Sequence, residues 1–224
     1  MRRRTVATSE VGINPNLLNP WNRRVKRALD LFGAVVGGLA TSPLWVLIAI
    51  VVKLDSAGPV YFSQYRVGIQ GKQFRCWKFR TMVADAERSI EEILQSDPNL
   101  RAEWEQTTKL RYDPRITRVG RFLRKSSLDE LPQLWNVFRG EMSLVGPRPL
   151  IEWEAPLRSG ASYELYKLVK PGITGLWQVS GRNDTSYASQ VALDSHYVRN
   201  WSVWLDLMIL TRTVSAVLLG RGAY

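Results

Sequence analysis

The apolar residues of this chain are unevenly distributed, and the longest uninterrupted run lies near the N-terminus. Residues 31–52, LFGAVVGGLATSPLWVLIAIVV, contain no charged side chain. As a straight helix they would extend about 33 Å, which is enough to cross a bilayer. Ser42 and Pro43 lie at the centre of the run, where proline removes a helix hydrogen bond and disfavours helical geometry at the preceding residue. The pattern predicts a break there, with the hydroxyls of Thr41 and Ser42 binding the freed carbonyls.

The charges on either side of this run bear on how it meets a membrane. Residues 1–52 hold seven Lys or Arg and two Asp or Glu, a net charge of +5; residues 53–224 hold 24 and 18, a net charge of +6. A spanning helix would place one of these basic flanks outside, against the positive-inside rule. We therefore predict a re-entrant membrane helix over residues 23–54, which enters and leaves through the same face. A proline-kinked spanning helix and a buried core helix are the alternatives.

Beyond residue 54 the pattern predicts a smaller domain of mixed secondary structure. The segment VYFSQYRVGIQGKQFRCWKFRTM alternates as two strands joined by a turn at residues 68–71. MSLVGPRPL and GITGLWQVSGRND each contain a short strand. Helical patterns occupy residues 84–111 (split at Pro98), 112–125 and 129–138 (ended by Gly140). The predicted fold class is α+β, with a helix-rich domain at residues 55–224 that contains one short β-hairpin.

The two ends of the chain differ in pattern. Residues 1–22 contain three arginines and two prolines, which predicts a flexible basic leader. Near the C-terminus, apolar residues recur at helical spacing at Val203, Leu207, Leu210, Val214 and Val217. An amphipathic helix of this kind either lies on lipid headgroups or packs its apolar stripe into a core, and the pattern alone leaves both open.

The composition narrows the class of partner. A net charge of +11 over 224 residues indicates an anionic partner, which is a nucleic acid, an acidic lipid surface or a phosphorylated small molecule. Nine tryptophans favour a membrane interface, because the indole ring is apolar while its N–H requires a polar partner. A single cysteine and a single histidine argue against a disulfide framework and against a zinc cluster.

An acidic pair, Asp129 and Glu130, stands out against this basic background. Directly before it, KLRYDPRITRVGRFLRK carries seven basic residues and one acidic residue, with arginines at intervals of three: Arg115, Arg118, Arg121 and Arg124. Pro132 favours a position of Asp129 near a helix N-terminus, where phosphates also bind and where the pKa of a carboxyl is lowered. An ionised aspartate is a nucleophile toward phosphorus, and a neighbouring carboxylate can hold Mg²⁺. The alternative is a capping box between Ser127 and Glu130.

Other reactive side chains are assigned structural roles. His196 lies beside aromatic residues and Cys76 lies within a predicted strand, so we expect a structural histidine and a core thiol. Asp184 and Asp194 either cap turns or support a site. The chain contains neither GxxxxGK[ST] nor a GxGxxG after a strand, so ATP and dinucleotide chemistry have no support.

Several separated motifs together resemble one protein family. SLDELPQLWNVFRGEMSLVGPRP, KFRTM and KPGITGLWQVSGRND, with the apolar segment that contains Ser-Pro, are similar to the bacterial monotopic phosphoglycosyl transferases. The resemblance extends over residues 22–224. It includes the short exopolysaccharide-initiating members and the C-terminal catalytic part of larger galactose-1-phosphate transferases.

The resemblance implies a two-step exchange and a set of site residues. In that exchange an aspartate attacks the β-phosphorus of a UDP-sugar, UMP leaves, and undecaprenyl phosphate takes the sugar phosphate. Asp129 is the implied nucleophile and Glu130 the implied Mg²⁺ ligand. The implied substrate contacts are Arg124, Pro147, Arg148, Pro149, Arg182 and Lys78. The family also has a re-entrant helix broken at Ser-Pro, as predicted above for Ser42 and Pro43.

The resemblance further implies a cellular location and a set of partners. It puts the protein on the cytoplasmic face of the bacterial inner membrane, with membrane lipids and downstream glycosyltransferases as partners and without nucleic acid. UDP-galactose is the expected donor and UDP-glucose the alternative, while a homodimer stays open. Two other classes compete with an enzyme: a basic membrane-attached binding module, in which the acidic pair only caps a helix, and a scaffold that recruits assembly enzymes.

Overall fold

A computed structural model of the protein describes residues 14–107, 110–158, 160–181 and 186–219. The helices are α1 (Pro15–Leu18), α2 (Pro20–Asp55), α3 (Ala86–Ser96), α4 (Pro98–Thr107), α5 (Arg118–Ser126), α6 (Gln133–Arg139), α7 (Gly160–Lys167), α8 (Leu176–Val179), α9 (Tyr187–Arg199) and α10 (Val203–Leu219). The strands are β1 (Tyr61–Val67), β2 (Gln73–Phe79), β3 (Ser143–Val145) and β4 (Gly172–Thr174). The α+β class and the dominance of helices are confirmed.

Helix α2 contains the long apolar run and continues through its proline. It begins at Pro20 rather than at residue 23, because Asn19 caps it by accepting a hydrogen bond from the Trp21 N–H at 2.9 Å. The predicted break at Ser42 and Pro43 is wrong, because the helix continues through both residues. Pro43 leaves the Leu39 carbonyl without its usual donor, and the Ser42 hydroxyl donates to that carbonyl at 2.8 Å. The predicted compensation by hydroxyls is therefore confirmed, and the re-entrant course stays a prediction.

The N-terminal half of α2 is anchored to the domain by polar contacts. The Lys26 ammonium binds Asp206 of α10 at 2.6 Å and the Val145 carbonyl of β3 at 3.0 Å. Asp30 accepts hydrogen bonds from the Ser143 hydroxyl at 2.8 Å and the Leu144 N–H at 2.9 Å. These groups are largely buried, so each hydrogen bond replaces one that water would otherwise supply.

The C-terminal half of α2 is anchored mainly by apolar packing. Ile48 and Val52 are buried in a cluster with Phe79 of β2 and Leu123 of α5. Arg80 closes the end of the helix by donating to the carbonyls of Val52, Ser56 and Ala57. Among the described residues, α2 is the one helix long and apolar enough to cross a bilayer by length and composition, yet both its halves rest on the same domain.

The two sheets are small and differ in topology. Strands β1 and β2 form the predicted antiparallel hairpin, whose register pairs Phe62 with Lys78 and Arg66 with Phe74. These four residues share one face of the hairpin because side chains alternate along a strand. The two short strands predicted in MSLVGPRPL and GITGLWQVSGRND are present as β3 and β4. The structure adds that they pair in parallel. The connection between them includes α7, which lets parallel strands meet.

Three helix boundaries correct or refine the sequence-based expectations. The split at Pro98 is confirmed by α3 and α4. The helix predicted at residues 112–125 begins only at Arg118, because Thr117 caps it through a hydrogen bond from the Gly120 N–H. The helix predicted at 129–138 is a 3₁₀ turn at Leu128–Glu130 followed by α6, which Gly140 ends in a left-handed conformation (φ 81°) as predicted.

Helix α10 packs one side into the core, and its contact with lipid headgroups stays a prediction. Asp206 and Ile209 are buried, and Val203 and Leu210 pack against the main core. The opposite side exposes large apolar side chains, which are Trp204, Leu207 and Val214. The predicted apolar stripe is therefore divided between core and surface. Residues 1–13 of the predicted leader and the side chain of Val217 lie outside the described part of the chain.

Candidate active site

The acidic pair lies in a tight turn between α5 and α6. Helix α5 ends at Ser126, and Ser127 adopts a left-handed conformation (φ 58°), which is uncommon for a residue other than glycine and is often found at functional sites. Asp129 and Glu130 follow in the 3₁₀ turn, and the side chain of Ser127 does not cap it. The capping-box alternative is therefore wrong. The expectation that Asp129 is near the helix N-cap is also imprecise, because Pro132 occupies the N-cap position of α6.

Lys78 of β2 reaches both carboxylates. Its Nζ atom lies 2.6 Å from Glu130 Oε1 and 3.5 Å from Asp129 Oδ2. Asp129 is the more enclosed of the two acids, with a side chain 10% exposed against 33% for Glu130. The buried acid therefore shares a single ammonium with a more accessible neighbour.

Two internal contacts fix this geometry. Asn136 of α6 is fully buried; its amide oxygen accepts from the Trp77 N–H at 3.1 Å, and its amide nitrogen donates to the Arg75 carbonyl at 2.7 Å. Asn136 thus ties β2, which carries Lys78, to the helix that follows the acidic pair. Asn136 is not among the site residues predicted from the sequence. An amide inside the apolar run LWNVF was the available signal, because a buried polar group requires partners.

Helix α5 is held against the other side of the site through Thr81. Gly120 lies so close to the Thr81 backbone that a β-carbon could not be accommodated. The Arg124 Nε–H donates to the Thr81 hydroxyl at 2.9 Å, which directs this arginine toward the turn. Of the four regularly spaced arginines, Arg115 binds Asp113 at 2.6 Å, while Arg118 and Arg121 are exposed. Arg124 is the member of that series whose charge acts on Asp129.

Burial dominates the protonation of this site. Desolvation raises the pKa of Asp129, Glu130 raises it further, and Lys78 and Arg124 only partly offset these effects. The expectation of a lowered pKa is wrong because Asp129 is only 7% exposed, so the desolvation cost exceeds the attraction of the nearby cations. For Lys78 the balance is reversed: burial disfavours its charge, but Glu130 and Asp129 outweigh burial and raise the pKa of its ammonium.

A second group of cations borders the loop of Pro147, Arg148 and Pro149. Arg148 binds Glu154 at 3.1 Å. Arg66 of β1 donates to the Pro149 carbonyl at 3.1 Å. Burial lowers the pKa of Arg66 and the adjacent charge of Arg148 lowers it further, while Glu154 and Glu130 act in the opposite direction. The loop is thus linked to the acidic pair through Arg66.

Sequence reasoning missed Arg66, although the alternation of β1 and β2 contained the signal. In the observed register, Arg66 and Lys78 lie on the same face of the hairpin. Lys78 and Arg124 act electrostatically on Asp129, and Arg66 acts on Glu130. Arg148 binds Glu154 and acts on Arg66 instead of on Asp129. Arg182 and Asp184 lie outside the described residues.

The donor set is suited to a magnesium ion shared with a substrate, not to a closed protein site. No group of three or more His, Cys, Asp or Glu side chains within the described residues is arranged to hold a metal. Mg²⁺ is commonly held by one or two carboxylates together with substrate phosphates and water. Glu130, the more exposed acid of the pair, fits that pattern, although its carboxylate binds Lys78 in this structure.

Of the residues expected to be structural, Cys76 and Asp194 are buried and His196 is exposed. His196 is exposed on α9, next to Asn200. Cys76 is buried in a core cluster, and burial raises the pKa of its thiol to about 11, so it is a core thiol as expected. Asp194 binds Arg158 at 2.6 Å within the protein interior, where burial raises the pKa of its carboxyl to about 6. It lies within α9 and also interacts with Arg148 of the Pro147–Pro149 loop.

Comparisons with known proteins agree on one family. Residues 21–220 match the family model described as bacterial sugar transferase. The chain is 51% identical over 212 residues to the UDP-galactose-lipid carrier transferase of Erwinia amylovora, covering 95% of this chain and 44% of that protein. It is 50% identical over 199 residues to the exopolysaccharide production protein ExoY of Sinorhizobium fredii, covering 89% and 88%.

A third relative matches the same part of the chain. It is the undecaprenyl-phosphate galactose phosphotransferase of Salmonella typhimurium, which is 48% identical over 212 residues, covering 95% of this chain and 44% of the relative. The chain therefore spans less than half of two of these three relatives and most of the third.

Proposed function

Because this chain belongs to the bacterial sugar transferase family, we propose that it transfers a sugar 1-phosphate from a UDP-sugar to undecaprenyl phosphate. The observation that carries the proposal is the enclosed carboxylate of Asp129, which shares the Lys78 ammonium with Glu130 and is also acted on by the charge of Arg124. Transfer between phosphate groups depends mainly on positioning and on neutralising charge. The cations around Asp129 supply both.

The proposed reaction has two displacements at the same phosphorus. In the first, a carboxylate oxygen of Asp129 bonds to the β-phosphorus of the UDP-sugar, the bond to the bridging oxygen breaks, and UMP leaves with that oxygen. In the second, a phosphate oxygen of undecaprenyl phosphate bonds to this phosphorus and the bond to Asp129 breaks. The products are UMP and undecaprenyl diphosphate sugar, and the enzyme returns to its starting form.

Each nearby group has a distinct task in this scheme. Lys78 lowers the pKa of Asp129 in opposition to burial and so favours its ionised form. Arg124, Arg66 and Arg148 are cations for the diphosphate of the donor. Glu130 would hold Mg²⁺, which when bound neutralises phosphate charge.

The way α2 is docked supports a monotopic location on the cytoplasmic face of the inner membrane. Both halves of α2 rest on the same domain, while its central residues expose large apolar side chains, among them Leu39 at 71% and Val46 at 62%. A re-entrant helix would bury these side chains in lipid and keep both basic flanks on one side. The acidic pair would then lie near the headgroups, where the phosphate of the acceptor is found.

Labelling from one side of sealed vesicles tests this topology. In a Cys76→Ala background, single cysteines at Asn22 and Ser56 mark the two ends of α2. Equal reaction of both with an impermeant maleimide supports re-entry, and protection of only one indicates a spanning helix.

Galactose is the proposed sugar. The Erwinia and Salmonella relatives, 51% and 48% identical, are both named for galactose transfer. The product would begin assembly of an exopolysaccharide or related glycan, the process for which the Sinorhizobium relative is named. A screen for UMP release across UDP-sugars, with undecaprenyl phosphate and with magnesium present or withheld, tests donor, acceptor and metal together. UDP-glucose as the faster donor would overturn the galactose assignment alone.

The same screen separates the enzyme from a binding module. Salt-sensitive binding to anionic vesicles without UMP release from any UDP-sugar would favour the module. A scaffold role predicts that Asp129→Asn leaves polysaccharide production unchanged in cells.

A further inference from the structure

A second cluster of positive charge lies at the end of α6 that is remote from the acidic pair. If Gly140 carried a β-carbon, that atom would lie 3.4 Å from Arg27 Nη2 and 3.4 Å from Lys170 Nζ. The two cationic groups are therefore at most about 7 Å apart. Arg23 and Lys26, on the same end of α2, also act electrostatically on Lys170. We call Arg23, Arg27 and Lys170 the cationic corner.

No carboxylate of the described residues forms an ion pair with this corner, although Arg27 donates to the Val137 and Phe138 carbonyls and Asp30 acts electrostatically on Lys170. Lys26 is engaged by Asp206, and the Asp30 carboxylate is engaged by Ser143 and Leu144. No described carboxylate lies within 4.0 Å of the half-buried Lys170 ammonium. Burial lowers the pKa of Lys170 and the charge of Arg27 lowers it further, so an added anion would relieve both. The corner thus has the electrostatics of an anion-binding site.

An apolar groove begins next to the cationic corner. It has a volume of about 320 Å³ and lies between α2 and α6. Its lining includes Ala34, Gly38, Leu39, Trp135 and Phe138. Arg27 donates to the Phe138 carbonyl, and Ala34 lies two turns after Arg27 on the same face of α2, about 10 Å along the axis. The charge and the groove therefore form one continuous surface with a cationic end and an apolar body.

We propose that this surface binds one anionic glycerophospholipid, with its phosphate at Arg23, Arg27 and Lys170 and part of an acyl chain in the groove. The corner adjoins the segment at which α2 changes from basic to apolar, which is the level of lipid headgroups in the proposed topology. Exposed Leu39, Trp135 and Phe138 would be covered by the chain. The lipid would brace α2 against α6 and hence stabilise the turn that holds the acidic pair.

The position of the corner distinguishes this lipid from the reacting acceptor. Asp129 precedes the N-terminus of α6, whereas Gly140 follows its C-terminus. The seven residues of α6 alone account for about 10 Å between them. A phosphate held at the corner is therefore out of reach of Asp129. The site adds a structural lipid to the proposed function and does not depend on the identity of the donor.

Lipid retention by the full-length protein tests the proposal. The protein is purified in detergent, incubated with phosphatidylglycerol or phosphatidylcholine, and examined by native mass spectrometry and by thermal unfolding. We expect one retained phosphatidylglycerol and a higher Tm in its presence, with at least tenfold weaker retention of phosphatidylcholine. The double variant Arg23→Gln/Lys170→Gln should lose at least tenfold in retention and lose the Tm increase.

Two further variants separate charge and shape. Lys72→Gln/Arg75→Gln removes the same charge from exposed positions on the hairpin and should retain the lipid as wild type does. Gly38→Leu fills the groove, where an added β-carbon meets no atom within 4 Å, and should weaken retention without unfolding the chain.

Three results would contradict the proposed phospholipid site. Equal retention of phosphatidylglycerol by wild type and Arg23→Gln/Lys170→Gln would show that the cationic corner does not bind the phosphate. Equal retention of the two lipids would show that the site does not select for negative charge. Displacement of the bound phosphatidylglycerol by one equivalent of undecaprenyl phosphate would assign the groove to the acceptor. UMP release is measured on the same samples, so failure of the proposed reaction is seen independently of lipid retention.

Discussion

Asp129 and Asp206 are nearly equally buried, at 7% and 6% exposure, but their surroundings are opposite in kind. Asp206 receives hydrogen bonds from the Lys26 ammonium at 2.6 Å, the Tyr197 hydroxyl at 2.7 Å and the Trp201 indole N–H at 3.1 Å. Asp129 has the Lys78 ammonium at 3.5 Å, and Lys78 lies closer to Glu130. Asp206 thus accepts three hydrogen bonds, whereas Asp129 shares the Lys78 ammonium with Glu130.

This difference separates the structural acid Asp206 from Asp129, the proposed nucleophile. A buried carboxylate with several good donors stabilises the fold because its desolvation is compensated. Asp206 in this way joins α2, β3 and α10, since Lys26 and Tyr197 also contact the Val145 carbonyl. A buried carboxylate with few donors keeps lone pairs available and has a raised pKa, as Asp129 does. Burial by itself therefore identifies neither role; the number and sharing of donors does.

The largest expected effect comes from Asp129→Asn. Removal of the nucleophile should reduce UMP release at least about 10³-fold and abolish any radiolabelled sugar-phosphate adduct. Because the pKa of Asp129 is raised on folding, its ionised form opposes folding near neutral pH, so the Tm of the variant at pH 7 should equal or exceed that of wild type. Wild-type UMP release from Asp129→Asn would contradict the assignment.

The matched change at the structural acid should have the opposite profile. Asp206→Leu leaves Lys26 buried without its partner and should lower the free energy of unfolding by about 3 kcal/mol, measured by denaturant titration in one detergent. The double variant Lys26→Met/Asp206→Leu should recover part of that loss. Unchanged stability of Asp206→Leu would show that the network contributes nothing to the docking of α2.

An intermediate effect is expected for Lys78→Met. Loss of this cation should lower kcat/KM about 10²-fold at neutral pH. In the proposed reaction Asp129 acts as a carboxylate, so activity should fall as pH decreases through its pKa. Lys78 lowers that pKa, and its removal should move the acidic limb of the kcat/KM profile to higher pH. Lys72→Met, at an exposed position in the hairpin turn, is the control and should leave the profile unchanged.

The smallest effect is expected within α2. Ser42→Ala removes the hydroxyl that binds the Leu39 carbonyl and should cost about 1 kcal/mol in unfolding free energy. Ser126→Ala, which also removes a hydroxyl bonded to helix carbonyls, is a control at the end of α5. A larger loss of activity than of stability in Ser42→Ala would connect the centre of α2 to the reaction.

Patterns that depend on neighbours in the chain were predictable. The hairpin, the split at Pro98 and the end of α6 at Gly140 follow from alternation, proline and glycine, which act within a few residues. The start of α5 and the form of the turn around Asp129 were mispredicted. Thr117 begins α5 as its N-cap, and Ser127 shapes the turn through its left-handed conformation. Several other residues nearby could have taken these roles, and only packing in the folded domain decides which ones do.

The sequence by itself determined the long apolar helix, the basic surroundings of an acidic pair, and the motifs that identify the family. These properties belong to residue order, because hydrophobicity, charge and turn propensity are local. Only the tertiary structure decided that Lys78 bridges Asp129 and Glu130, that Arg66 links the Pro149 loop to that pair, and that the pKa of Asp129 rises. Those facts depend on burial and on distances between residues far apart in the chain, which composition and spacing do not contain.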